Sequence, residues 1–239
     1  MVDNYIKRAQ VLMETNRFSE AKKELKKALS SDPNNVDVLS LLAICSSESE
    51  EHDKANELMQ RAIGIRPDDP NLLYTYSRIL LEQNDVKNAL VHIKNAIAIY
   101  PYSADFFYIL AAIHLYKKEW QDALDNANKG LEIEADHLGC LNVRSTALNK
   151  LGKKGEAFDT IKEALNQNPE NAYTHANHGW GLLERGEHKK ALEHFRESLK
   201  LNPNFDLAKA GMVEALKAKY PLYKLFLRYA FWISNMKSQ

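Results

Sequence analysis

Glycine and cysteine are scarce in this sequence, and its basic and acidic residues are equal in number. Each of these features argues against a class of protein. Only nine of its 239 residues are glycine, which excludes a collagen-like chain, and 45% are hydrophobic, which excludes a wholly disordered one. Basic and acidic residues each number 32, so the composition shows no bias toward nucleic acid or anionic lipid. The two cysteines, Cys45 and Cys140, lie far apart and form no metal-like cluster, a usage that fits a reducing compartment. We therefore expect a folded protein with no nucleic-acid partner.

Long apolar runs and targeting signals are also missing. The N-terminal residues Met1 to Arg8 contain no apolar core followed by small residues, which a secretory signal would have. No uninterrupted apolar run approaches the roughly 18 residues that suggest a membrane span. We expect a soluble chain in the cytoplasm.

Motifs of catalytic and cofactor sites are absent from the sequence as well. It has no glycine-rich phosphate loop, no Cys-x-x-Cys, no nucleophile elbow and no His-Glu-x-x-His. His175 and His178 are one helical turn apart and form the best candidate for a metal pair, but no third ligand follows at an obvious spacing. We interpret them as packing residues, and we expect no enzyme activity, no metal and no cofactor.

A period of 34 residues runs through most of the chain. Five of the seven prolines are separated by 34 residues or by twice that number, and Ala135 stands where the missing proline would be. These prolines are Pro33, Pro67, Pro101, Pro169 and Pro203. When the proline is set at position 32 of each unit, position 20 is alanine in all six units: Ala21, Ala55, Ala89, Ala123, Ala157 and Ala191.

The phased positions have the sizes that packed helical pairs require. Each unit accommodates two helices of about 14 residues, called A and B. Positions 8, 20 and 27 carry small residues that let helices approach closely, whereas positions 24 and 28 carry larger apolar residues that fill the space between them. The proline at position 32 ends helix B.

This pattern resembles the tetratricopeptide repeat family. Phe18 and Trp120 at position 17, and Gly152 and Gly186 at the turn between the helices, add to the resemblance. It implies an all-α fold, a right-handed superhelical α-solenoid of helix-turn-helix repeats. The predicted repeats cover 2–205 and are 2–35, 36–69, 70–103, 104–137, 138–171 and 172–205.

Residues 206–239 are expected to add a seventh helical hairpin that has lost the alanine signature. One amphipathic helix covers 206–219, Tyr220 and Pro221 interrupt it, and a second helix follows from Pro221 to about Asn235. We interpret this hairpin as a cap, because the open apolar end of a repeat array has to be covered.

The same C-terminal segment is basic and aromatic, which leaves a second interpretation open. Side chains of these types suit the headgroup region of a membrane. The segment also resembles the stretch that precedes a hydrophobic anchor in membrane-attached bacterial tetratricopeptide proteins, so the protein would be peripheral, or tail-anchored if the chain is truncated. The residues that would contact a membrane or a partner are Tyr223, Lys224, Phe226, Arg228 and Trp232.

The family resemblance implies that helix A of each repeat lines a concave groove, chiefly through positions 2, 5, 6, 9, 12 and 13. No window of three repeats is basic at these positions, so we expect no clamp for the carboxylate tail of a chaperone. Tyrosine, tryptophan and arginine are enriched at the residues that dominate protein interfaces. The candidate groove residues are Tyr74, Arg78, Tyr108, Ala112, Asn142, Thr146, Asn177 and Trp180.

The sequence therefore predicts a non-catalytic scaffold or adaptor that binds a peptide or helix segment of a partner protein in the groove. The alternative is a membrane-associated assembly factor whose C-terminal helix docks to a membrane or precedes a membrane anchor. We expect a monomer, or a weak homodimer formed through the hairpin at 206–235.

Overall fold

The chain folds as helices connected by short turns. The computed structural model describes residues 2–219, and within them it contains thirteen α-helices and no β-strand. In chain order these are α1 (Val2–Glu14), α2 (Phe18–Ser31), α3 (Val36–Ser47), α4 (His52–Ile65), α5 (Pro70–Glu82), α6 (Val86–Ile99), α7 (Ala104–Tyr116), α8 (Trp120–Ile133), α9 (Leu138–Lys150), α10 (Lys154–Gln167), α11 (Ala172–Glu184), α12 (His188–Leu201) and α13 (Asp206–Lys219). The fold is an all-α array of helix-turn-helix repeats.

The odd-numbered helices from α1 to α11 begin at residues 2, 36, 70, 104, 138 and 172, the first residues of the six predicted repeats. Side chains just before several of these helices fix the starting point. Asn35 accepts a hydrogen bond from the backbone N–H of Val38, and Asn171 accepts one from the N–H of Thr174. Each bond satisfies an N–H group that has no partner within its own helix.

The turn between the two helices of each repeat contains one residue in the left-handed conformation. It stands at position 15 in all six repeats, as Asn16, Glu50, Asn84, Lys118, Gly152 and Gly186, with φ between 57° and 79°. Only two of these residues are glycine, although a side chain at positive φ costs about 1–2 kcal/mol. The packing of the two helices therefore imposes the turn even where the residue type opposes it.

We expect Glu50→Gly to raise the free energy of unfolding by about 0.5–1 kcal/mol, because glycine adopts the left-handed turn without a steric penalty. Glu50 is exposed and has a φ of 60°. The matched reverse change, Gly186→Ala, should lower stability by about 1 kcal/mol, since Gly186 has a φ of 79°. Urea denaturation followed by circular dichroism measures both. Stability changes of the same sign in the two variants would contradict the prediction.

The helices form two compact units. Unit 1 contains α1 to α7, and unit 2 contains α8 to α13. Inside each unit, every helix packs against the next helix along the chain. The last described helix, α13, packs against both α12 and α11, so the helix predicted over 206–219 contacts the last repeat hairpin.

The small residues at positions 8, 20 and 27 of the repeat are buried between helices. All six alanines at position 20 are at most 1% exposed. Where position 8 is serine, its hydroxyl is used in the same contact: Ser77 Oγ donates to the carbonyl oxygen of Ala89, and Ser145 Oγ donates to that of Ala157, each at 2.9 Å. These serines therefore bond helix A to helix B across the buried interface.

Candidate partner-binding surface

The candidate groove residues of unit 1 lie on the two neighbouring helices α5 and α7. Tyr74 and Arg78 are one turn apart on α5, and the guanidinium carbon of Arg78 lies 5.8 Å from the centroid of the Tyr74 ring. Arg78 is exposed, whereas Tyr74, Tyr108 and Ala112 are half-buried. The structure thus places an exposed cation beside half-buried tyrosines, an arrangement that suits contact with a partner.

The hydroxyl of Tyr74 remains protonated at neutral pH. Burial raises its pKa, and the negative charge of Asp105 raises it further. A protonated phenol can both donate and accept a hydrogen bond. Tyr74 therefore offers a partner an apolar ring and a polar tip, while Arg78 offers a permanent positive charge.

Two further tyrosines extend this surface, and the groove positions did not include them. Tyr100 and Tyr102 lie between α6 and α7 and are 47% and 71% exposed. Their rings meet edge to face with centroids 5.8 Å apart, and Tyr100 also contacts Phe106, whose ring is 5.2 Å from that of Tyr74. We refer to Tyr74, Arg78, Tyr100, Tyr102 and Tyr108 as the aromatic surface.

Three of the candidate residues of unit 2, Asn142, Thr146 and Asn177, belong to a hydrogen-bond network inside the unit. Asn142 is 6% exposed, and its Nδ2 donates to the carbonyl oxygen of Leu138 at 3.0 Å and to Thr174 Oγ1 at 3.1 Å. Thr146 Oγ1 donates to the carbonyl oxygen of Asn142 at 2.9 Å, and Asn177 Nδ2 donates to Asn142 Oδ1 at 3.4 Å. These polar groups join α9 to α11, so the burial of Asn142 places its amide at a helix interface.

Trp180 also contacts a neighbouring helix. Its indole Nε1 donates to the carbonyl oxygen of Leu207 on α13 at 3.2 Å, and its ring packs edge to face against Phe195 with centroids 5.8 Å apart. Trp180 is half-buried. The indole thus helps to attach α13 to the last repeat hairpin.

Comparison with known families agrees with the helical period. Models described as "Tetratricopeptide repeat" match residues 12–79 and residues 172–205. The first segment runs from the end of α1 through α2, α3 and α4 into α5, and the second contains α11 and α12. This chain is a tetratricopeptide repeat protein.

Relatives of this tetratricopeptide repeat protein are distant in sequence. It is 25% identical to human "Protein O-mannosyl-transferase TMTC3" over 209 residues, which are 82% of this chain and 23% of the human protein. The chain therefore spans about a quarter of that relative's length. It is also 24% identical to "TPR repeat-containing protein PA4667" of Pseudomonas aeruginosa over 205 residues, 85% of this chain and 29% of that protein.

Solved structures show the same fold. The crystal structure of the APC/C heterotetramer Cut9–Hcn1 matches with a TM-score of 0.79 and 18% identity, over 90% of this chain and 43% of that chain. At such identities the likeness shows the fold alone.

Another surface of this tetratricopeptide repeat protein is a cleft of about 820 Å³ beside α1 and α2. Its walls include Arg8, Val11, Glu24 and Lys27. Glu24 pairs with Lys27 at 2.5 Å and with Arg8 at 3.9 Å, so much of the charge in these walls is already paired within the protein. The aromatic surface is the better candidate because the exposed guanidinium of Arg78 lies beside the half-buried Tyr74 ring, and Phe106 connects that ring with the exposed Tyr100.

The membrane interpretation concerns a part of the chain beyond the structural description. Tyr223, Lys224, Phe226, Arg228 and Trp232 lie outside residues 2–219, together with the second helix of the predicted cap. Among the described helices, none is both long enough and apolar enough to cross a membrane.

Proposed function

We propose that this tetratricopeptide repeat protein is a non-catalytic scaffold or adaptor that binds a segment of a partner protein on the aromatic surface of unit 1. Proteins of this family bind protein partners through their repeats. The observation that carries the proposal is the exposure of Tyr100, Tyr102 and Arg78 next to the half-buried ring of Tyr74. In most interfaces, a few such anchor residues contribute most of the binding free energy.

The chemistry of the aromatic surface suits an extended peptide or one face of an amphipathic helix. Edge-to-face rings leave ring faces open to apolar side chains of a partner. Arg78 adds a site for a carboxylate or a carbonyl oxygen of the bound segment, since its guanidinium presents several N–H donors. The proposed partner therefore combines apolar or aromatic side chains with an acidic residue.

The proposal assigns no reaction to the chain. The thiol of Cys45 is fully buried, and burial raises its pKa to about 11, which keeps it protonated and unreactive at neutral pH. Cys140 is fully buried as well. The transferase name belongs to a human protein of which this chain matches 23%, so that activity is not transferred to it.

A pull-down with mass-spectrometric identification tests the proposal. We expect the wild-type chain to retain a partner that the variant Tyr74→Ala, Arg78→Ala, Tyr108→Ala releases, because each substitution removes an interface anchor. The identified segment would then be titrated by calorimetry against both proteins. We expect the triple variant to bind it at least about 30-fold more weakly than the wild type, which corresponds to about 2 kcal/mol.

A matched control lies on the opposite helix of the same repeat. Lys87, Val91 and Lys94 are exposed on α6, so Lys87→Ala, Val91→Ala, Lys94→Ala should keep the partner bound. Circular dichroism verifies that both variants are folded. If the surface variant and the control retain the same proteins, or if no protein is retained by the wild type, the aromatic surface is not the binding site.

A further inference from the structure

Three histidine rings are joined by hydrogen bonds inside the last repeat hairpin. His175 and His178 on α11 are each 9% exposed, and His194 faces them from α12. His175 Nδ1 lies 3.0 Å from His194 Nδ1, and His178 Nδ1 lies 3.1 Å from His194 Nε2. His175 Nε2 is also 2.8 Å from the carbonyl oxygen of Pro169. The sequence pairing of His175 and His178 thus omitted the ring that connects them.

The hydrogen-bond partners determine which nitrogen of each neutral ring carries hydrogen. The carbonyl oxygen of Pro169 can only accept, so His175 Nε2 donates to it and His175 Nδ1 is an acceptor. His194 Nδ1 must then donate to His175, which makes His194 Nε2 an acceptor for His178 Nδ1–H. The bonds therefore run in one direction, from His178 through His194 and His175 to Pro169.

This chain of bonds ends at a buried nitrogen without a partner. His178 Nε2 is inaccessible to solvent and has no hydrogen-bond partner among the described residues. The His178 ring packs against Phe158 with centroids 5.0 Å apart, and the Arg185 guanidinium lies 4.1 Å from the Phe158 ring centroid. A bare imidazole nitrogen in such surroundings is an acceptor that a proton can occupy.

Counting hydrogens shows how many protons the cluster can hold. The three neutral rings carry three hydrogens, one for each bond. A fourth hydrogen can enter at His178 Nε2, and every N···N contact still contains one hydrogen. A fifth would place two hydrogens between the same pair of nitrogens, so the contact would have to open. The folded hairpin therefore accommodates one added proton.

The charged groups around the rings have opposite effects on the protonation of the histidines. Lys162 on α10 disfavours a charge on His178, whereas Glu187 in the preceding turn favours one. Glu193 and Glu197 on α12 favour a charge on His194. Burial outweighs these carboxylates: it is the main cause that lowers the pKa of His178 to about 4 and the main cause that lowers the pKa of His194.

We propose that His175, His178 and His194 form a single-proton site through which mild acid selectively destabilises the α11–α12 hairpin. Above the ordinary histidine pKa of 6.5, His178 is neutral in both the folded and the open hairpin, so it contributes no pH dependence. Below that pH the open hairpin binds protons that the folded one excludes, and the penalty grows until the folded pKa of about 4 is reached. At pH 5.0, His178 alone favours opening by roughly 30-fold.

The repeat itself supplies a matched variant. His175, His178 and His194 occupy positions 4, 7 and 23, which in the second repeat are Leu39, Leu42 and Leu58, exposed by only 0%, 3% and 5%. The substitutions His175→Leu, His178→Leu, His194→Leu therefore place in the last repeat the three leucines that are already buried at the same positions of the second repeat. In the third repeat, Tyr76 and His92 make the same contact between positions 7 and 23, with ring centroids 4.7 Å apart.

Hydrogen exchange of the full chain at pH 7.5 and pH 5.0 tests the proposal, after correction for intrinsic exchange rates. We expect the opening equilibrium of α11 and α12 to increase by roughly 30-fold or more in the wild type. The leucine variant should lose most of this response, as should the single variant His178→Leu. The α3–α4 hairpin, which carries leucine at the three positions, is the internal reference.

A second measurement keeps the proposal falsifiable if the leucine variant fails to fold. Nitrogen-15 spectra of the wild-type imidazoles at pH 7.5 should show hydrogen on Nδ1 of His178 and His194 and on Nε2 of His175. Any other set of tautomers would overturn the proposal. So would an opening equilibrium of α11 and α12 that is unchanged between the two pH values, or equally acid-sensitive in the folded leucine variants.

Discussion

Phe195→Ala is expected to lower the free energy of unfolding by about 3–5 kcal/mol, the usual cost of truncating a fully buried aromatic side chain. The Phe195 ring is 0% exposed. A Cβ at either Gly179 on α11 or Gly211 on α13 would overlap the ring, and the Trp180 ring packs edge to face against it. Because three helices meet at this ring, its removal leaves a cavity that no single helix can close.

Urea denaturation measured by circular dichroism provides the test, and Phe205→Ala is the matched control. Phe205 belongs to the same hydrophobic cluster but is only half-buried, and its ring contacts Tyr173 with centroids 5.8 Å apart. Truncation there removes less buried surface, so we expect a loss of about 1–2 kcal/mol. Equal losses in the two variants would show that Phe195 does not hold the three helices together.

The helical scaffold can be predicted from the sequence because the same packing contacts between helices recur in every repeat. Positions 8, 20 and 27 require small residues wherever two helices approach closely, so the period of these residues is visible in the sequence alone. The prediction of an all-α repeat fold is confirmed, and the A helices begin where the proline phase places the repeats. Local residue preference is a weaker guide, since Glu50 and Lys118 adopt the left-handed turn that glycine favours.

The surface residues were harder to predict because their environment differs from one repeat to another. Tyr74 and Asn142 share position 5, yet Tyr74 is half-buried beside an exposed arginine, whereas Asn142 is buried against Thr174. The A helix of the following repeat causes this difference in burial, because only Thr174 places a hydroxyl within hydrogen-bond distance of the side chain at position 5. Tyr100 and Tyr102 were missed because they lie between helices, where the helix A positions do not extend.

The histidine cluster shows a contact that helical-turn spacing cannot reveal. His178 and His194 are 16 residues apart and belong to different helices of one hairpin. Positions 7 and 23 nevertheless meet in other repeats too, as Arg8 with Glu24 and Tyr76 with His92. Once this contact is known from the structure, the residues at positions 7 and 23 of the last repeat identify His194 as the third ring. Their contact depends on hairpin geometry, which the period alone does not specify.

Gly211→Ala is expected to destabilise the protein by about 1–3 kcal/mol, although alanine is the better helix former by about 1 kcal/mol. A Cβ at residue 211 would overlap Cε1 and Cζ of the fully buried Phe195 ring. A Cβ at residue 179 on α11 would also lie 2.7 Å from Cε1, so the backbone of α11 limits how far the ring can move. The large residue at position 24 of this repeat is thus accommodated by two glycines.

A double-mutant cycle separates this overlap from other effects of the substitution. In a Phe195→Leu background the ring atoms are gone, so Gly211→Ala should become neutral or stabilising by up to about 1 kcal/mol through its helix preference. The sign of the alanine effect would then reverse between the two backgrounds, which only a direct contact between the two positions explains. If Gly211→Ala destabilises both backgrounds equally, the cost arises elsewhere in α13, and Phe195 does not require glycine there.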